Sequence, residues 1–454
     1  MNLAGITESV GPKVPLKYDV VVAGGGTAGM VAAIAAARAG AKTLLVERGN
    51  CLGGTATAGL IVQFGGGGYR FITGIAKELL DELIARGEAV DLGQPNVNYP
   101  FDPDGLKDLA FEKLSLSGAD LLLYSPVVGV LREGTFLRGI LVENKSGRCV
   151  IEAQVVIDAT GDADVVARSG AEVLKLPGGG ILSAIVGNID FQELRDYIER
   201  HPEQVFEADL SKPLIRIAGF SDVVEMAVAR GDLEVEMMRI PRHLVETEGT
   251  IEGSRQYLRV DGIFEEKGLA MIGYGAHVDF DATDAFSLTR AEVEARRRHK
   301  GLLAFFRKYI PGFRNCHIVQ TASSIAIWKS RKIVGEYVLT SEDIRSSKRF
   351  PDVVVNAHTN LDHRSLYIKE LLEFDIPFRA MLPRGYDGII VAGRCISTTA
   401  TVQIPGFNIP LCMQMGEAAG TAAAMAATAG ASPRDLPIGD LQARLVRDGV
   451  LRRM

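Results

Sequence analysis

The segment at residues 18–47 limits the fold of this chain more than any other stretch. It reads YDVVVAGGGTAGMVAAIAAARAGAKTLLVE, an apolar run, a glycine cluster, an Ala-rich stretch and a second apolar run. This pattern predicts a strand, a helix and a second strand parallel to the first. Gly24, Gly26 and Gly29 have the GxGxxG spacing that allows a tight turn and a close approach of the backbone to a diphosphate.

The same segment predicts how a dinucleotide would be held. Its diphosphate would rest on the free N–H groups at the helix N-terminus, where Thr27 and Ala28 form the first turn. Glu47 ends the second strand, and with Arg48 it is placed to contact an adenosine ribose. The alternative is a glycine-rich strand–helix turn that binds no ligand.

Composition narrows the class of protein. The chain has 454 residues, of which 47% are hydrophobic and 23% charged, and its net charge of −6 argues against a large nucleic-acid-binding face. Five cysteines without regular spacing suggest reduced thiols. The N-terminus lacks an apolar signal region, and no apolar stretch reaches the roughly 20 residues of a membrane span. We therefore expect a cytoplasmic protein with no nucleic-acid partner and no membrane insertion.

Further elements follow from the apolar periodicity. Helices are predicted at residues 75–86, 105–117 and 411–427, and short strands at residues 121–124, 127–131, 139–143, 150–157 and 388–392. Thr289 and Glu292 form a capping-box pattern that predicts the start of another helix. Pro410 suits the first turn of the last helix, where a missing N–H costs nothing.

Other motifs offer weaker alternatives. The glycine runs at residues 65–68 and 178–180 lack a following helix and acid, so a separate NADPH domain is not expected. Cys51 has no nearby partner cysteine and is interpreted as a small buried residue. His277, Asp279 and Asp281 alternate on a possible strand face, which we interpret as solvated, and no metal site is predicted.

Several segments together resemble a known family. These are ERGNCLGGTATAG, FDPDGLKDLAFEKL, LTRAEVEARRRH, SRKIVGEYVLTSEDI, DIPFRAMLPRG, AGRCIS and CMQMGEAAGTAAA. They resemble the bacterial FAD-dependent oxidoreductases with a glutathione-reductase-type fold, over about residues 17 to 430. The resemblance implies FAD as cofactor and an α/β fold, in which a Rossmann-like parallel-sheet FAD domain carries an inserted mixed α+β substrate domain.

This resemblance implies a division of the chain. Residues 14–175 would form the first part of the FAD-binding domain, with a possible insertion at residues 60–104. Residues 176–384 would form the substrate or cap domain, and residues 385–454 the C-terminal part of the FAD-binding domain.

The expected FAD contacts are mostly small or polar residues and lie in seven segments. A loop of small residues would lie along the diphosphate and ribityl chain, the central strand would pass close under the cofactor, and the N-terminus of the last helix would face the pyrimidine edge of the ring. They are Gly24, Gly26, Thr27, Ala28, Gly29, Glu47, Arg48, Gly53, Gly54, Thr55, Val128, Ala159, Thr160, Gly161, Asp162, Gly393, Arg394, Asn408 and Ile409.

The resemblance is less informative about catalysis. It draws attention to His363 as a proton shuttle and to Arg379 as a cation for the substrate, with a structural role as the alternative for each. The chain also departs from the family pattern. Ala400 stands where relatives commonly have His, and Trp328-Lys329 stands where they often have Arg-Glu.

We expect hydride transfer between a small organic substrate (an alcohol, a saturated carbon pair or an amine) and flavin N5. The electron acceptor is unknown, and a homo-oligomer is possible. Three alternatives stay open: a flavin monooxygenase, an RNA-modifying flavoprotein and a non-catalytic FAD-binding protein.

Overall fold

The structure is a computed structural model that describes residues 16–65, 71–91, 99–210, 216–233, 258–272, 277–360, 371–399 and 408–452. Its strands are β1 (Leu16–Ala23), β2 (Thr43–Val46), β3 (Gln63–Phe64), β4 (Tyr99–Pro100), β5 (Asp120–Leu122), β6 (Val127–Glu133), β7 (Phe136–Asn144), β8 (Gly147–Asp158), β9 (Val173–Ile181), β10 (Ala184–Gly187), β11 (Val205–Asp209), β12 (Arg216–Gly219), β13 (Leu258–Phe264), β14 (Leu269–Ile272), β15 (His277–Asp279), β16 (His317–Thr321), β17 (Ala326–Ile333), β18 (Val353–Asn360), β19 (Leu371–Pro377) and β20 (Ile389–Val391). Its helices are α1 (Thr27–Arg38), α2 (Gly74–Ala85), α3 (Pro103–Ser117), α4 (Asp164–Ser169), α5 (Phe191–Arg200), α6 (Ser221–Ala229), α7 (Ala285–Tyr309), α8 (Ser341–Arg345), α9 (Ile409–Ala429) and α10 (Ile438–Arg447).

A largely parallel sheet is assembled from both ends of the chain. Its order is β5-β2-β1-β8-β7-β6, and β20 pairs with the end of β8. Val22 on β1 pairs in parallel with Leu45 on β2 and with Ile157 on β8. Because Ile157 also pairs with Ile390 on β20, the C-terminal segment completes the sheet that the N-terminal segment begins. The predicted α/β fold with a Rossmann-like parallel sheet is confirmed.

Two buried helices, α1 and α9, pack against each other beside this sheet. Both are rich in alanine, and two glycines of α9 bring the helix backbones close together. A Cβ built on Gly416 would lie 2.0 Å from the carbonyl oxygen of Ala28, and one on Gly420 would lie 2.2 Å from that of Ala32. Only glycine therefore fits at these two positions without a shift of one helix.

Antiparallel sheets fill most of the chain between β8 and β20. One has the order β11-β12-β13-β14-β10-β16, another the order β15-β9-β17, and β18 pairs with β19. Ala184 and Val186 on β10 belong to one hydrophobic cluster, whereas Ile185 belongs to the cluster that contains the parallel sheet. The six-stranded sheet thus contributes to both clusters. The predicted division at residues 175–176 and 384–385 stays a prediction.

The glycine run at residues 178–180 has a packing role. A Cβ on Gly178 would lie 2.1 Å from the carbonyl oxygen of Phe280, and one on Gly180 would lie 2.4 Å from that of Ala326. These glycines let β9 pass close to the backbone of Phe280 on one side and of Ala326 on the other.

One predicted helix start is wrong. The helix begins not at Thr289 but at Ala285, with Asp284 as its N-cap, and the Asp284 carboxylate accepts a hydrogen bond from the Ser287 N–H. The Thr289 hydroxyl instead donates to the carbonyl of Ala285 inside the helix. Asp284 is the N-cap because its carboxylate, one turn earlier than Thr289, accepts a hydrogen bond from a free N–H group and suits the positive end of the helix.

Candidate FAD site

The turn between β1 and α1 has the geometry that the GxGxxG spacing predicts. Gly24 has a φ of +99°, and a Cβ there would lie 2.7 Å from the carbonyl oxygen of Ala159. A Cβ on Gly29 would lie 1.7 Å from the carbonyl oxygen of Gly24, so the helix needs glycine to lie against the turn. A Cβ on Gly26 would meet no heavy atom within 4 Å. Open space therefore lies above Gly26, directly before the free N–H groups of Thr27 and Ala28.

Glu47 joins the end of β2 to this turn. One of its carboxylate oxygens accepts a hydrogen bond from the Gly25 N–H at 2.6 Å, and the other accepts from the Gly49 N–H at the same distance. A carboxylate has lone pairs beyond these two, so its predicted contact with a ribose is compatible with the fold. Arg48 is close enough to contribute to lowering the pKa of Asp162.

The loop of small residues at Gly53, Gly54 and Thr55 lies beside the same turn. The Gly53 N–H donates to the carbonyl of Gly25 at 2.9 Å, and Gly53 forms a parallel bridge with Gly26. Gly54 has a φ of +54°, and a Cβ there would lie 2.9 Å from the Gly26 Cα. The two glycine-rich segments thus form one continuous backbone surface.

The end of β8 carries two buried carboxylates. Asp158 accepts hydrogen bonds from the Thr160, Val165 and Val166 N–H groups, which fixes the start of α4, while burial raises the pKa of this carboxyl. Asp162 pairs with the Arg394 guanidinium at 2.8 Å. Burial alone would raise the pKa of Asp162, but Arg394 and a hydrogen bond from Ser330 hold it below its usual range.

Arg394 packs closely against Gly161. Gly161 has a φ of +77°, and a Cβ there would lie 2.5 Å from the Arg394 Nη1. The Nε atom of Arg394 is buried and has no hydrogen-bond partner within the described part of the chain. Next to it, a Cβ on Gly393 would lie 3.3 Å from the Ala28 Cβ, so this segment touches the first turn of α1.

The N-terminus of α9 offers a second set of free backbone donors. Asn408 is the N-cap, and its side-chain oxygen accepts a hydrogen bond from the Leu411 N–H at 3.0 Å. Its amide nitrogen is buried and finds no partner among the residues that the structure describes. Pro410 lies in the first turn, as predicted, and Ile409 is buried beside it.

Val128 and Arg379 lie outside this cluster of contacts. Val128 is on β6 with 40% of its surface exposed. His363 lies outside the described residues. Arg379 makes a bidentate ion pair with Asp352, at 2.9 and 3.0 Å, which ties it to the start of β18. Its role in catalysis stays a prediction.

Sequence reasoning missed two buried lysines on β17. Lys329 is 5% exposed and Lys332 is 6% exposed. The sequence signals were the departure from the family pattern at Lys329 and the three charges of the strand AIWKSRKI, and such a pattern is also typical of a solvated strand face.

Other candidate chemistries find no support in the described residues. Cys51 is half-buried rather than buried. No group of three potential metal ligands occurs in the part of the chain that was searched. No helix there is long and apolar enough to span a membrane.

The buried donors of Arg394 and Asn408, which have no partner among the described residues, and the open space above Gly26 fit a long ligand with a diphosphate between its two halves. The family model described as FAD dependent oxidoreductase matches residues 19–445. The chain belongs to this family. It is therefore an enzyme, an oxidoreductase that uses FAD.

Curated relatives match a smaller part of this chain than the family model does. A thiamine thiazole synthase of Aeropyrum pernix is 34% identical over 193 residues, which cover 38% of this chain and 67% of the synthase. A probable electron transfer flavoprotein-quinone oxidoreductase of Escherichia coli is 30% identical over 170 residues, 34% of this chain but only 38% of that protein. A solved structure of a geranylgeranyl bacteriochlorophyll reductase-like protein from Thermoplasma acidophilum covers 96% of this chain and is itself covered to 85%, at 15% identity and a TM-score of 0.49. That last similarity is too low to support a conclusion about function.

Proposed function

We propose that the protein is a dehydrogenase-type flavoenzyme that takes hydride from a small organic substrate. Bound FAD supplies a two-electron acceptor that receives the hydride at N5. The observation that carries the proposal is the set of donors at the N-terminus of α9. The helix N-terminus has free N–H groups, and the Asn408 amide nitrogen at the N-cap is buried without a partner among the described residues. These donors would stabilise negative charge that develops on reduction.

The remaining contacts follow from the geometry of the turn. The N–H groups of Thr27 and Ala28 would hold the diphosphate in the space above Gly26. Glu47 would accept hydrogen bonds from the ribose hydroxyls, since its carboxylate already lies at the end of β2. The residues from Ala159 to Asp162 and the pair Gly393 and Arg394 would line the middle of the cofactor, because these two segments contact each other.

A small-molecule substrate would bind between the parallel sheet and the antiparallel sheets, within residues 176–384. His363 and Arg379 remain the candidates for a proton shuttle and a substrate cation. The electron acceptor is open. The relative named as a quinone oxidoreductase makes a quinone one acceptor worth testing.

The test is an anaerobic titration of the FAD-reconstituted protein, followed by its absorption spectrum. Bleaching of the flavin bands by an alcohol, an amine or a compound with a saturated carbon pair would support the proposal and name the substrate class. Absence of flavin bands after reconstitution would contradict it. Bleaching by NADPH with rapid reoxidation in air would favour a monooxygenase, and RNA binding that survives physiological salt would favour an RNA-modifying enzyme.

A further inference from the structure

The long helix α7 carries a charge opposite in sign to that of the whole chain. It contains seven lysines and arginines but only two acidic residues, in a chain whose net charge is −6. Both acids are already engaged. Glu292 accepts a hydrogen bond from the Ile325 N–H at 2.7 Å, and Glu294 pairs with Arg298 at 2.7 Å. The helix is therefore a basic element on an acidic protein.

The residues of α7 divide between two sides of the helix. Buried residues recur every three or four positions and hold the helix on the protein; they are Ala291, Ala295, His299, Leu302, Phe305 and Phe306. Exposed residues recur with the same spacing on the other side; they are Phe286, Arg290, Val293, Arg297, Lys300 and Ala304. We call these six exposed residues the outer stripe. At about 1.5 Å per residue, the outer stripe extends about 27 Å.

Two large apolar side chains lie on the outer stripe among its cations. Phe286 is 77% exposed and Val293 is 67% exposed, two helical turns apart. Arg290 lies between them, and neither Arg290 nor Lys300 has an ion pair or hydrogen bond within the described part of the chain. Exposed apolar side chains beside unpaired cations are typical of helices that lie in the interface of an anionic membrane.

The shape of the outer stripe favours a lipid surface over an acidic protein as its partner. An exposure of 77% leaves the Phe286 ring outside any groove, on the convex side of a helix. A fluid headgroup layer can receive such a ring without a matching pocket, whereas a stable protein interface buries about 1,200 Å² or more of complementary surface. Because the rest of the chain is acidic, anionic headgroups would attract this side of the protein and repel the others.

We propose that the outer stripe docks the protein on the surface of an anionic lipid membrane, which it does not cross. Phe286 and Val293 enter the headgroup region, while Arg290 and Lys300 interact with lipid phosphates. This inference depends neither on the bound cofactor nor on the substrate that is oxidised.

Docking would also orient the FAD segments, because Glu292 connects α7 to them. Glu292 holds the Ile325 N–H, and two residues earlier the Ser323 N–H donates to the carbonyl of Ala58 at 2.9 Å. Ala58 follows the loop of small residues that we assign to the diphosphate and ribityl chain. A membrane bound along α7 would therefore lie at a fixed orientation to the cofactor.

The experiment is cosedimentation of the FAD-reconstituted protein with phosphatidylcholine vesicles, either pure or with about 30% phosphatidylglycerol. Wild-type protein should bind the anionic vesicles about tenfold or more tightly than the neutral ones, and salt above about 0.15 M should reduce the difference. R290Q/K300Q should weaken binding to anionic vesicles about 10- to 30-fold. K145Q/R345Q removes the same charge at exposed positions elsewhere in the chain and should bind like wild-type protein.

The apolar residues are tested separately. F286Q/V293Q should weaken vesicle binding at every salt concentration, because salt does not screen the burial of apolar surface. L116Q is the matched control, since Leu116 on α3 is 74% exposed and lies outside the outer stripe. F286W locates the contact. Vesicles of bromine-labelled lipid should quench the fluorescence of F286W more than that of wild-type protein, whereas L116W should show no extra quenching.

Wild-type protein that does not bind anionic vesicles would overturn the inference, and so would equal binding by R290Q/K300Q and K145Q/R345Q. Binding to soluble polyglutamate without binding to vesicles would show that the outer stripe receives an acidic protein instead. A dimer that does not bind vesicles and that F286Q/V293Q dissociates would show a subunit interface. Either of these two results contradicts docking on lipid. All substituted side chains are exposed, so the variants should fold.

Discussion

Gly26 and Gly29 lie three residues apart, but the fold requires glycine only at Gly29, whereas a small residue at Gly26 would serve the proposed diphosphate. At Gly29 the space is filled by the protein's own backbone. At Gly26 the space is open, and the backbone there, with φ of −67° and ψ of −172°, suits alanine. Sequence spacing alone treats the two glycines alike, whereas the contacts separate a folding role from a ligand role.

We expect G26A to weaken FAD binding without lowering the stability of the apoprotein. Its methyl group would occupy space that the diphosphate needs, and a tenfold loss of affinity corresponds to about 1.4 kcal/mol. G29A should instead destabilise the apoprotein by about 1–3 kcal/mol, because its Cβ overlaps the Gly24 carbonyl. Fluorescence titration with FAD and thermal melts of both apoproteins check this. Wild-type FAD affinity in G26A would contradict the proposed diphosphate site.

Glu417 should make stability depend on pH. It is 4% exposed on α9, its carboxylate accepts a hydrogen bond from the Ile75 N–H at 2.7 Å, and burial raises its pKa to about 8. The folded state thus binds a proton more tightly than the unfolded state does. This contribution to stability is complete below pH 4.5 and is lost as the pH rises to 8, by up to about 1.4 kcal/mol per pH unit.

The variant E417Q keeps an oxygen acceptor for Ile75 but does not ionise. Its free energy of unfolding should therefore fall less than that of the wild-type protein between pH 5.5 and pH 8. Urea denaturation at these two pH values measures the difference, with the surface variant E112Q as control. Equal losses in E417Q and wild-type protein would show that Glu417 stays ionised in the fold.

At the scale of elements, the sequence predicted most of the parallel sheet and its helices. The last helix was expected at residues 411–427 and spans Ile409–Ala429. The start was predicted within two residues because Pro410 marks the first turn, and the observed end is set by Gly430 as the C-cap. The prediction failed at Thr289 because a capping-box pattern inside a longer helix looks like the start of one.

The contact between α1 and α9 should depend on Gly420. In G420A the new Cβ would lie 2.2 Å from the Ala32 carbonyl oxygen, and we expect a loss of about 1–3 kcal/mol in the free energy of unfolding. Gly439 in α10 is the matched control, since a Cβ there meets no atom within 4 Å. G439A should stabilise the protein by about 0.5–1 kcal/mol, because alanine loses less backbone entropy in a helix. Denaturant unfolding compares the two, and an unaffected G420A would show that the helices separate easily.

At the scale of the whole molecule, the site depends on contacts between distant parts of the chain. Local spacing predicts the turn at Gly24–Gly29, since its chemistry lies in consecutive residues. It does not predict that Ser330 and Arg394 meet at Asp162, because these pairs are separated by 168 and 232 residues. The buried lysines were missed for the same reason. Their role depends on what packs around β17, and periodicity carries no information about that.

These long-range contacts predict that the protein unfolds as one unit. The six-stranded sheet contributes to both hydrophobic clusters through Ile185 and its neighbours on β10, so neither cluster is separate. Trp328, the only tryptophan of the chain, lies on β17 in the three-stranded antiparallel sheet, and Ser330 of the same strand contacts Asp162. Its fluorescence, flavin release and far-UV circular dichroism should therefore change at the same denaturant concentration. Excess FAD should shift all three midpoints upward together, because it binds only the folded state. A Trp328 transition that precedes flavin release and ignores added FAD would instead show that the antiparallel sheets unfold independently.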